Sequence, residues 1–96
     1  GIQIMRESSS DLMDTVPGKK LKKMVIEELS DISEIRKIEE IRAHRFGPYF
    51  VFNITIGIDG SMSVERGDKI AEQAEKRLLK KDRLIRRVYV HYHPYQ

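Results

Sequence analysis

The residues with the clearest chemistry lie near the end of the chain, in His91-Tyr92-His93-Pro94. In an extended strand alternate side chains share a face, so the two imidazoles stand on one side, about 7 Å apart at their Cα atoms. Two such groups can converge on one metal ion. Zinc accepts neutral imidazole nitrogen and carboxylate oxygen, usually in a tetrahedral set, so further ligands must come from elsewhere in the chain. The same pair also reads as two solvated residues of a terminal strand. Cysteine is absent, which excludes disulfides, thiolate metal sites and cysteine nucleophiles and is compatible with a cytosolic setting.

Other chemistries find no support. Ser8, Ser9 and Ser10 lack a paired histidine and acid, and Gly57 and Gly60 do not have the spacing of a phosphate-binding fingerprint. Phe50 and Phe52 alternate with polar residues and read as core instead of as a base-stacking platform. No catalytic constellation is left, and the fragment is expected not to be an enzyme.

The elements that must carry these residues follow from hydrophobic periodicity. Thr15 can cap a helix with Pro17 in its first turn, and Leu21, Met24, Val25 and Leu29 continue at helical spacing, with lysines on the opposite side. From Ile35 to Arg45 the period shortens toward a strand, which Phe46-Gly47-Pro48 closes as a turn. Tyr49 to Asp59 alternates most cleanly: Phe50, Phe52, Ile54, Ile56 and Ile58 point one way, Tyr49, Val51, Asn53, Thr55 and Gly57 the other. After the Asp59-Gly60-Ser61 turn, Ser63 caps a second helix with a stripe at Val64, Gly67, Ala71, Ala74 and Leu78. A final strand runs from about Leu84 to His93, with Pro94 expected to end it. The order helix, strand, strand, helix, strand implies an α+β, αββαβ two-layer sandwich, ferredoxin-like but lacking the first strand. Both helices should cover one face of a three-stranded sheet.

Tyr49, Val51, Tyr89 and His91 fall on the uncovered face, half apolar and half polar. Such a surface suits pairing with a second copy, although antiparallel sheets also tolerate solvent there. Residues 1–14 show no clean period and read as a linker arm ahead of a domain over 15–96.

Composition limits the partners. A chain of 96 residues supports one small core, and 40% hydrophobic with 34% charged residues describes a folded globular domain. Eighteen Lys and Arg against fifteen Asp and Glu leave a formal charge of only +3, which argues against nucleic acid. The basic residues nevertheless bunch at Lys19, Lys20, Lys22 and Lys23 and again at Lys80, Lys81, Arg83, Arg86 and Arg87. Those faces read as solvated helix surface or as attractive to phosphate or anionic lipid. The longest apolar run, Phe50 to Ile58, is too short to cross a bilayer as a helix and is interrupted by Asn53 and Thr55. The chain opens on Gly1 with no secretory signal pattern and reads as a piece of a longer protein.

In order along the chain, several segments resemble one family. They are the arm ending in Asp11-Leu12-Met13-Asp14, Ile41-Arg42-Ala43-His44-Arg45-Phe46-Gly47, Ser63-Val64-Glu65 with Ala71-Glu72, and His91-Tyr92-His93-Pro94. The likeness is to the cytoplasmic domain of cation diffusion facilitators. It implies the regulatory domain of a proton-coupled exporter of zinc or a similar divalent cation, on the cytoplasmic side of the membrane and joined by the arm to the transmembrane part. The domain would form a homodimer and bind metal near the interface, biasing the dimer's geometry. Carried over by position, the family's ligands fall on Asp68, His91 and His93, with Glu39 and Thr55 standing where some members have histidine. A threonine hydroxyl is a poor zinc ligand, so at most one metal per subunit is expected, with Glu39 as a further candidate ligand. The alternatives are a purely structural dimerisation module, or a basic surface that binds nucleic acid or anionic lipid.

Overall fold

The computed structural model describes residues 9–11 and 15–95. Its elements are β1 (Ser9–Asp11), α1 (Val16–Leu29), β2 (Ile35–Phe46), β3 (Tyr49–Asp59), α2 (Val64–Lys81) and β4 (Ile85–Tyr95). The αββαβ order over α1 to β4 is the expected one. The three residues of β1 add a short strand to it: Ser9, Ser10 and Asp11 pair antiparallel with Phe46, Arg45 and His44 at the outer edge of β2. The rest of the expected arm lies outside the described residues. The sheet order is β1-β2-β3-β4. β2 and β3 form an antiparallel hairpin, and α2 is the crossover that lets β4 run parallel to β3.

Local chemistry sets the boundaries. The Thr15 hydroxyl accepts from the Gly18 N–H at 3.0 Å and the Ser63 hydroxyl from the Arg66 N–H at 3.0 Å, so each helix starts at its expected cap. Gly47, at φ 58°, supplies the left-handed residue of the two-residue hairpin connection before Pro48. The Asp59 carboxylate accepts from the Ser61 N–H at 2.9 Å and the Ser61 hydroxyl at 2.8 Å, closing the turn into α2.

The core lies between the sheet and both helices. Val25 and Leu29 of α1 and Ile70, Ala74 and Leu78 of α2 pack on Phe52, Ile54, Ile56 and Ile58 of β3 and on Ile41, Ala43, Ile85 and Val88. Two features differ from expectation. The buried arc of α2 is centred on Gly67, Ile70, Ala74 and Leu78, so Val64 falls off its edge and is 74% exposed. Pro94 does not end β4, which continues to Tyr95. Because β4 is an edge strand, a residue lacking an N–H can sit in it without breaking an inner ladder.

β2 breaks simple alternation. Ile35, Ile38 and Ile41 are three apart, yet all turn toward the core because register shifts fall between Ile35 and Lys37 and between Ile38 and Glu40. Each shift inserts one extra residue, returning the next isoleucine to the inner face.

Ion pairs tie α1 and its following loop to α2. Arg77 pairs with Asp31 and donates to the Glu28 carbonyl at 3.2 Å, Lys81 lies 3.3 Å from Glu28, and Arg66 pairs with Glu34. The hydrogen bond from Arg77 holds the Asp31 carboxyl below its ordinary value, that from Arg66 does so for Glu34, and the Ser61 bonds do so for Asp59.

Two outcomes follow. A folded-state pKa held below the unfolded one gives stability that is complete above the unfolded value and lost as pH falls through the folded value. The unfolding midpoint should therefore be level near neutrality and decline once pH passes below the ordinary values of 3.8 and 4.5. Arg77→Ala should flatten that decline, read by denaturant titration at stepped pH, and an unchanged profile would discount the pair. At Gly67, an added Cβ would lie 2.6 Å from Tyr92 Cε2. Alanine gains roughly 1 kcal/mol of helix propensity, but overpacking costs about 1–3 kcal/mol. Gly67→Ala should thus destabilise wild-type protein and stabilise a Tyr92→Leu background; stabilisation in both would show that the ring yields freely.

Candidate metal centre and pairing face

Alternation along β4 sends Tyr92 toward the helices and His91 and His93 to the open face of the sheet. The Tyr92 ring lies against Gly67, and its hydroxyl donates to the Asp68 carboxylate, with the Val64 carbonyl 3.4 Å away. The bond to Asp68, followed by partial desolvation and the carboxylate's charge, holds the Tyr92 phenol above its ordinary value. Asp68 is therefore engaged in the helix layer. It does not meet His91 or His93 within one chain.

On the open face His93 meets Glu39. The His93 Nε2 contacts the Glu39 carboxylate, and Nδ1 lies 3.0 Å from its neighbour's carbonyl, that of Pro94. A carbonyl and a carboxylate both only accept, so each ring nitrogen faces an acceptor: the Pro94 carbonyl orients Nδ1, and Nε2 points at the Glu39 carboxylate, where a proton or a cation has to lie between the two. Metal-binding histidines use the same device, one nitrogen fixed by a backbone acceptor and the other presented to the ion.

The contact spans β3, because His93 pairs in register with Gly57 and Glu39 lies in the bulge of β2 on the other side. Gly57 leaves the space open. A Cβ there would come within 2.9 Å of Glu39 Oε2 and 3.1 Å of Tyr95 Cβ. Glu39 keeps 27% of its side-chain surface and His93 47%, so the pair is accessible.

His91 is exposed in the adjoining row, in register with Thr55, which pairs on its other side with Glu40. Among the described residues no three His, Asp or Glu side chains gather into a ready metal cage. An imidazole nitrogen and a carboxylate oxygen suit a borderline divalent ion such as zinc, and together they supply half of a tetrahedral set.

Of the residues expected in a pairing surface, Tyr49, Val51 and Tyr89 line one open hollow of about 620 Å³ with His44, Phe46, Asn53, Arg86 and Arg87. His91 lines the neighbouring hollow along β4. Arg86 lies over the Tyr49 ring at 4.5 Å, covering part of its face. Phe46 and Tyr89 remain 40% and 47% exposed. Sequence reasoning missed Arg86 as a member of this face, because a register shift near the start of β4 leaves it outside the ladder pairing. It also missed Gly57 as the gap under Glu39 and His93, although a glycine inside an otherwise regular strand signals close approach.

Comparison with known proteins agrees with this architecture. The model of the cytoplasmic domain of cation efflux proteins matches residues 17–95. The metal-bound C-terminal domain of the CzcD transporter from Thermotoga maritima has a similar structure, with a TM-score of 0.79, 21% identity, and coverage of 83% of this chain and 93% of that one. A nickel form of the MamM CTD gives 0.75 at 22% identity, covering 81% and 99%, and a doubly substituted MamM CTD gives 0.80 at 21%, covering 85% and 98%. No curated protein matches. With the family model spanning α1 to β4, the chain belongs to the cation efflux family as a cytoplasmic domain of the dimerising type.

Proposed function

We propose that this domain pairs two copies of a proton-coupled divalent-cation exporter beneath the membrane and responds to the cation, zinc foremost, through a site centred on Glu39 and His93. The observation that carries this reading is the carboxylate–imidazole contact across Gly57, with His93 Nδ1 held by the Pro94 carbonyl. Its partly exposed position suits a site completed by His91 or by donors from a second copy. The metal-bound and nickel-form structures of similar domains support binding of a divalent ion.

Glu39 and His93 would hold the ion, which supplies a positive charge that bridges groups otherwise unable to share one proton-free geometry. The open face with Tyr49, Val51 and Tyr89 would meet the second copy, bringing the two sets of donors together. A cation that binds one arrangement of the pair better than another shifts the population toward it in proportion to that difference. Asp68, taken up by Tyr92 on the other side of the sheet, would be a ligand only after leaving that bond.

A second reading is a structural dimerisation module without a working metal site. The absence of a three-donor cluster among the described residues favours it.

Zinc titration calorimetry, with mass measured in the same buffer, separates these. The parent should bind zinc, more weakly on acidification because imidazole must give up its proton. Glu39→Ala with His93→Ala should weaken binding by at least about tenfold, and Asp68→Ala should leave it intact. Loss in Asp68→Ala alone would move the site to the helix layer, and a dimer that binds no zinc would support the structural module. Small-angle scattering of the dimer should differ with and without saturating zinc; superimposable curves would remove the switching role.

A further inference from the structure

The charges of α1 are arranged against its dipole. Its first turn holds no acidic residue and its last turn no basic one, while Lys19, Lys20, Lys22 and Lys23 crowd the N-terminal half and Glu27 and Glu28 the other end. A helix N-terminus carries partial positive charge, so lysines there are unfavourable and no local structural gain offsets them. The acids at the other end do have a use, since Glu28 and the following Asp31 pair with Lys81 and Arg77 of α2. The lysines have none: among the described residues Lys19, Lys20 and Lys23 are exposed and have no ion-pair partner.

Val16, Lys19, Lys20 and Lys23 follow i, i+3, i+4, i+7 spacing and share one solvent face opposite the buried Gly18, Val25 and Leu29. Val16 is 70% exposed at the end of that face nearest the arm. Lys22 lies apart, lining the hollow that holds Glu39 and Glu40.

We infer that the face formed by Val16, Lys19, Lys20 and Lys23 docks on an anionic lipid surface. The occupant follows from two facts. Three unpaired ammonium groups and an exposed apolar residue complement a negatively charged headgroup layer. The face also belongs to the first helix after the arm, in a cytoplasmic domain of a family that moves cations across a membrane. Docking there would set the height and tilt of the domain under the bilayer. It rests on family membership and not on the metal site, so either can fail without the other.

The test is co-sedimentation of the 96-residue chain with vesicles of phosphatidylcholine alone or mixed with phosphatidylglycerol, at low and raised salt. The chain should sediment only with the mixed vesicles and be released by salt. Each lysine near such a surface contributes roughly fivefold to partitioning, so Lys19→Glu, Lys20→Glu and Lys23→Glu together should lower it by about a hundredfold or more. Lys69→Glu, Lys80→Glu and Arg83→Glu, an equal charge change on exposed positions elsewhere, should retain most of it. Glutamine at the three α1 positions keeps helix propensity and should also release the chain, with circular dichroism showing that it is folded. The inference is overturned by no sedimentation with mixed vesicles at low salt, by equal loss in both charge-reversed variants, by undiminished binding of the α1 variants, or by retention on single-stranded RNA without retention on vesicles.

Discussion

Burial of one face of β3 is the constraint on which the rest of the domain depends. Phe52, Ile54 and Ile56 are fully enclosed and Ile58 nearly so, and their strand is paired on both sides. Side chains alternate, so this commitment sends Val51, Asn53, Thr55 and Gly57 to the opposite face without further instruction. A slip of one residue would bury the polar set and expose the isoleucines. The rows holding Thr55 with His91 and Gly57 with His93 inherit their registration from that core.

What could be seen in the residue order was what repeats with a single period. β3 alternates between half-buried and buried residues from Val51 to Ile56, and the α1 stripe ends in the two residues that the core encloses, Val25 and Leu29. β2 has no single period, since Ile35, Ile38 and Ile41 are spaced by three and only its bulges reconcile them with a strand. Those bulges decide that Glu39 faces the sheet's open side, so its meeting with His93 could not be read from spacing. Asp68 failed to join the histidines for a related reason. It lies on a helix that covers one side of the sheet, while alternation in β4 gives Tyr92 to that side and His91 and His93 to the other.

Charge is distributed with similar economy. Arginine and lysine on α2 are used against carboxylates of α1 and the loop behind it, joining two helices that otherwise touch sparingly. The small core of a domain this size gains from such ties only modestly, because exposed pairs contribute little each. Their effect is on orientation: they align the C-terminal half of α1 along α2, while its N-terminal half has no ionic partner among the described residues.

Glu39 and His93 are 54 residues apart in the chain, yet in contact in the fold. They belong to strands that are not neighbours, with β3 passing between them. The two groups meet only when β2, β3 and β4 are in register, so anything that binds both recognises the folded sheet and not the unfolded chain. An ion that bridged the two side chains only in the folded sheet would add its binding free energy to the folded state, and so would stabilise the strands from Ile35 to Tyr95 together.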